Sequence, residues 1–168
     1  MKKTHLAAST HKKVVVLLFD GGEPLRGYLN PKAMVPDERI DVLTTDGQHQ
    51  SAPLEDVKAV YFVRELSESF ELERKTFLSR PKLDGLWVRL RFRDEDVLEG
   101  IVRNDLLDLL DAGINLTPPD LHGNVVRMFV PRSSLAELTV LGVVGAARRS
   151  PRATGPREAD GAQTKLFS

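Results

Sequence analysis

The stretches "VVVLLFDGGEPLRGYL" (residues 14–29) and "WVRLRFRDEDVLEGIV" (residues 87–102) decide the fold, because they are two versions of one pattern. At a constant spacing of 73 residues, Val15 meets Val88, Leu17 meets Leu90, Phe19 meets Phe92, Leu25 meets Leu98 and Gly27 meets Gly100. Apolar residues at every second position suit a half-buried strand, whose successive side chains point to opposite faces. Polar, turn-forming "DGGE" and "RDED" lie between the apolar runs and close each copy into a β-hairpin.

The correspondence continues beyond the hairpins. Ile40 and Val42 match Ile114 and Leu116, and "PLEDVKAVYFV" (53–63) matches "PRSSLAELTVL" (131–141). Pro53 falls on Pro131, Val57 on Leu135 and Val60 on Leu138, so in each copy a proline opens a short turn and a terminal strand follows. Five short strands in roughly 50–60 residues predict an all-β protein of two tandem SH3-like or Sm-like small β-barrel units. One such unit buries little surface, so the two are expected to pack together or share a core. Gly27 and Gly100 fall where the second strand of each copy must bend to close a barrel.

The expected organisation is a basic arm at 1–12, a first unit at 13–66, a linker or strap at 67–84, a second unit at 85–145 and a tail at 146–168. "RELSESFELERKTFLSRPKLDG" (64–85) lacks alternation and reads as one short helix around Leu66 and Phe70 or as an extended strap; Arg80-Pro81 opposes a helix there. "RNDLLDLLDAG" (103–113) predicts a turn or two of amphipathic helix stopped by Gly113. The arm and the Arg/Pro-rich tail show no periodicity and predict disorder.

The two hairpins, together with "VKAVYFVREL", "ERKTFL" and "FVPRSSLAELTVLG", resemble a family of uncharacterised bacterial proteins with a duplicated hairpin of this kind, over roughly residues 13–142. The resemblance implies a small all-β module; it brings no known activity and no catalytic or binding residue. The turns differ between the copies, Asp20-Gly21 in the first and Arg93-Asp94 in the second, which argues against a functional role common to both.

Composition narrows the function classes. There are no cysteines, which removes disulfides, a thiol nucleophile and Cys-ligated metal. The opening "MKKTHLAASTHKK" has no apolar core of a secretory signal, and no apolar run nears the ~20 residues of a membrane span, so a cytoplasmic protein is expected. Net charge is zero but uneven: residues 1–13 hold four lysines and no acid, and residues 146–168 hold five basic residues against two acids. Of the 24 of each sign in the whole chain, residues 14–145 therefore keep 15 basic and 22 acidic, a net of −7. An acidic core is a poor surface for a polyanion.

No motif for chemistry emerges. Asp20, Glu23, Asp94, Glu95 and Asp96 sit at hairpin tips, and Asp105, Asp108 and Asp111 on the polar face of the short helix; both sets read as solvated. His5, His11, His49 and His122 have no neighbours at metal-ligand spacing. Ser133 and Ser134 read as a cap of the short turn after Pro131. No catalytic residue, cofactor or metal is expected, and the chain reads as a non-enzymatic binding protein. Arg89, Arg91 and Arg93 alternate with core residues, which makes them the candidate nucleic-acid contact of an Sm-like regulator; pairing with acids such as Glu99 on the adjacent strand is the competing account.

The last residues, "GAQTKLFS" (161–168), pose a different question, because an exposed Leu-Phe pair does nothing for solubility. "QTKLF" resembles the sliding-clamp-binding motif of bacteria, with Thr164 and Lys165 departing from its usual central residues. The resemblance implies that Gln163, Leu166 and Phe167 bind a protein partner such as the DNA sliding clamp, the apolar pair filling a pocket and the amide bonding at its rim. An anchor folded back on the chain's own barrel is the alternative. Open edge strands also leave room for a homodimer.

Overall fold

The computed structural model describes residues 11–33, 38–109 and 111–145. Both hairpins form where the alternation places them. The first is β1 (Lys12–Leu18) and β2 (Leu25–Leu29); the second is β6 (Gly85–Phe92) and β7 (Val97–Val102). The first copy continues with β3 (Arg39–Thr44), β4 (His49–Pro53) and β5 (Val57–Val63). The second continues with a four-residue helix α1 (Leu106–Leu109), β8 (Gly113–Leu116), β9 (Val125–Pro131) and β10 (Leu135–Val144). The protein is all-β, with only short helical turns.

The matched prolines adopt matched backbones. Pro53 lies at φ −63°, ψ 143° and Pro131 at φ −60°, ψ 143°, each leading into a three-residue 3-10 turn and then the last strand of its copy. Ser134 does not cap the second turn as expected. It is fully buried, and its hydroxyl donates to the carbonyl of Pro131 at 2.9 Å.

The strands form a seven-stranded sheet, β4-β3-β2-β1-β5-β9-β8, and a three-stranded sheet, β10-β6-β7, both antiparallel. The larger sheet crosses the copies, because β9 pairs with β5 (Val60 with Phe129, Tyr61 with Met128). The smaller sheet meets it again at the bridge between Ile101 and Thr117.

Hence β1 and β5 form a wall between two cores. Val14, Val16, Val60 and Phe62 face one core with Leu29, Ile40 and Val42; Val15, Ala59 and Val63 face the other with Val88, Leu90, Phe92 and Met128. That explains "VVV", three consecutive residues each at most 1% exposed: a strand covered on both faces has no polar side. β6 keeps its alternation, with Val88, Leu90 and Phe92 buried and Arg89 exposed. The copies share a sequence pattern yet differ in burial, the first strand of one being covered on both faces and that of the other keeping an exposed Arg89.

Gly27 and Gly100 serve close approach. A Cβ on Gly27 would lie 2.1 Å from the carbonyl oxygen of Leu43, and one on Gly100 would lie 2.6 Å from Leu116 Cδ1. At these points β2 touches β3, and β7 passes against β8, over only a residue or two. Gly113 is not a helix stop; it begins β8.

Residues 64–84 form a strap without helix or strand, and Leu66, Phe70 and Leu72 pack on the second core. Asn124 clasps its start: its side-chain carbonyl accepts from the N–H groups of Arg64 and Glu65 at 3.1 and 2.9 Å, and its amide donates to the carbonyls of Glu65 and Ser69 at 2.9 and 3.0 Å.

Candidate functional site

Ionisable groups gather where the second hairpin's turn docks on the first copy. Lys58 is the one charge in "VKAVYFV", and a register shift where β5 passes Leu17 and Leu18 of β1 accompanies it. Its ammonium donates to Asp94 at 2.8 Å and to Asp96 at 3.0 Å, and stands 5.1 Å from the centre of the Phe92 ring. Lys75 of the strap donates to both carboxylate oxygens of Asp96, at 2.9 and 3.1 Å. Two acids read from sequence as solvated are therefore structural partners. Burial alone would lower the Lys58 pKa, but the hydrogen bonds and charges of Asp94 and Asp96 more than offset it and hold the lysine above its ordinary value. Burial likewise pushes both carboxyls up, and it is outweighed: Lys58 holds Asp94 below the usual aspartate value, and Lys75 with Lys58 does the same for Asp96.

The arginine row divides. Arg93 lies over the Phe19 ring, its guanidinium carbon 3.9 Å from the ring centre, and donates to the carbonyls of Glu55 at 2.9 Å and Ser133 at 3.3 Å. Arg91 pairs with Glu95 at 3.1 Å. Arg89 stands opposite Glu99 across the strands, and no ion pair to it occurs among the described residues. Glu99 has other partners: it is 8% exposed, and its Oε1 accepts from the indole N–H of Trp87 at 2.9 Å and the backbone N–H of Phe77 at 3.1 Å. With the N–H of Glu99 donating to the Lys75 carbonyl at 2.7 Å, this residue fastens the strap along β7. Of the three candidate contacts, only the Arg89 guanidinium has no partner among the described residues.

Gln163, Leu166 and Phe167 lie outside the described residues. Among the described residues no group of three or more His, Asp or Glu could hold a metal ion, and no helix is long and apolar enough to cross a membrane. α1 leaves Leu106 and Leu107 exposed and turns Leu109 to the second core. The junction could have been suspected from a lone lysine in an apolar strand; which acids meet it could not.

Several DNA ligases of Xanthomonas are similar over part of the chain. The ligases of X. axonopodis pv. citri (strain 306) and X. campestris pv. campestris (strain B100) are each 36% identical over 61 residues, which is 36% of this chain. That of X. euvesicatoria pv. vesicatoria (strain 85-10) is 38% identical over 55 residues, 33% of this chain. The matched stretch spans 7% of the length of each ligase. No solved structure matches. A family model covers residues 10–142, most of the β structure described above, and the chain belongs to that family, a family of unknown function (DUF6982).

Proposed function

We propose that this chain is a non-enzymatic adaptor: two small SH3-like or Sm-like units form a binding module, and the C-terminal Gln163, Leu166 and Phe167 dock on a protein partner, the DNA sliding clamp. The observation that carries the non-enzymatic half is the Lys58–Asp94–Asp96–Lys75 cluster. Perturbed ionisable groups concentrate where chemistry is done, but here they are paired with one another and tie two halves of the fold together. The clamp half rests on the "QTKLF" pattern.

The test is retention of the full-length chain on immobilised, purified bacterial sliding clamp. The adaptor predicts retention that is lost when residues 163–168 are deleted; no retention at micromolar clamp removes the clamp as partner. A second reading, nucleic-acid binding, draws on the exposed Arg89 and on the basic arms. It predicts affinity for RNA or DNA that falls steeply with salt and survives the deletion.

A further inference from the structure

We propose that the outer edge of β10 pairs antiparallel with β10 of a second copy of this chain, joining two three-stranded sheets into one six-stranded sheet about a two-fold axis. The internal repeat is the first ground. β10 is the counterpart of β5: each follows a proline-led 3-10 turn and pairs with the first strand of its own copy. β5 is paired on both sides, with β1 and with β9. β10 is an outer strand and, among the described residues, pairs with β6 alone. The same kind of edge that receives a strand in the first copy is thus open in the second, and its N–H and C=O groups are a template for pairing. The register shifts in β10 do not forbid this, because β5 carries one in each of its pairings.

Composition is the second ground. β10 reads "LAELTVLGVV", with one charge, Glu137, and Val140 and Val143 are 50% and 61% exposed. Free edges are usually blunted by charge, proline or shortness. β4 is blunted in this way: it has five residues, three of them exposed and polar, and ends in Pro53. β4 is the repeat's counterpart of β9, but it offers Gln50 and Ser51 where β9 brings Met128 and Phe129 to β5. A second β10 suits the edge better, since it is apolar in its C-terminal half, and antiparallel pairing carries the two Glu137 side chains to opposite ends. Arg80 donates to the Val143 carbonyl at 2.7 Å, which occupies one acceptor near the strand's end and leaves the stretch before it open.

One strand from each chain makes an interface below about 1,200 Å², so association in the micromolar range is expected. The experiment is light scattering or sedimentation of the full chain over a hundredfold concentration range. The mass should rise from 18.7 kDa toward twice that value. Val140→Lys and Val143→Lys should each weaken association at least tenfold with unchanged circular dichroism and Trp87 fluorescence, whereas Gln50→Lys on β4 should leave it intact. A wild-type chain that stays at 18.7 kDa overturns the proposal. So do folded Val→Lys variants that still dimerise, or a Gln50→Lys variant that dissociates, which would mean head-to-tail pairing through β4.

Discussion

Replacing Lys58 with Met removes the charge that holds the second hairpin's turn to the first copy and keeps most of the side-chain volume against Phe92. Two charge-assisted hydrogen bonds are lost, at 2.8 and 3.0 Å. The lysine side chain is 15% exposed, but those of Asp94 and Asp96 are 40% and 33% exposed, and Asp96 keeps Lys75. Water therefore compensates part of the loss, and the expected cost is about 2 kcal/mol, a lowering of the melting temperature by roughly 6 °C. Arg91→Met, which breaks the far more exposed Arg91–Glu95 pair, should cost under about 0.5 kcal/mol.

The pH dependence has a definite sign. Asp94 and Asp96 have folded pKa values below their unfolded ones, so their contribution is present above about pH 4 and is lost as the pH falls through the folded values. Lys58 has a raised folded pKa, so its contribution is complete below its unfolded value and is lost as the pH rises through the folded one. The stability gap between wild type and Lys58→Met should thus be level through neutral pH and narrow in acid. Urea unfolding followed by fluorescence of the single tryptophan, Trp87, measures it. A gap under about 0.5 kcal/mol at pH 7, well short of the cost of a lost charge-assisted bond, or one unchanged at pH 3, would mean that Lys58 does not hold the turn in place.

Other changes separate the structural roles. Gly27→Ala should be the harsher of the two matched glycine substitutions, costing about 3 kcal/mol or preventing folding, because the new methyl meets rigid backbone at Leu43. Gly100→Ala meets mainly a movable Leu116 methyl and should cost less; thermal melts of the pair decide. Glu99→Ala should free the strap and unpair the Trp87 indole, seen as a shift in tryptophan emission and faster trypsin cleavage within 74–82, while circular dichroism stays the same.

Much of this architecture is legible in the chain because local rules govern it. Alternation in "WVRLRF" marks a strand with one free face, and the two prolines mark matching turns. The all-β class follows from the same signals, whereas 64–85 suits a short helix or a strap equally, and the packing of Leu66, Phe70 and Leu72 on the core accompanies the strap. What the residues alone do not convey is pairing across the copies: β9 joins β5 through tertiary contacts, which give "VRMFV" no feature to distinguish it from a strand that stays within its own copy. Reading 14–19 as half-buried also missed that "VVV" lacks a polar face. Arg93 looks like a solvent-facing charge in the row Arg89, Arg91, Arg93, and only the fold reveals Phe19 beneath it. For the same reason Asp94 and Asp96 read as solvated until β5 brings Lys58 to them.

The adaptor account stands or falls with a calorimetric titration of purified sliding clamp with the full-length chain and with a Leu166→Ala/Phe167→Ala double variant, at low and high salt. The account predicts a micromolar dissociation constant for the wild type that changes little with salt and weakens at least about a hundredfold in the variant, as expected when two apolar anchors are removed. No heat of binding from the wild type, or equal affinity in the variant, would contradict it.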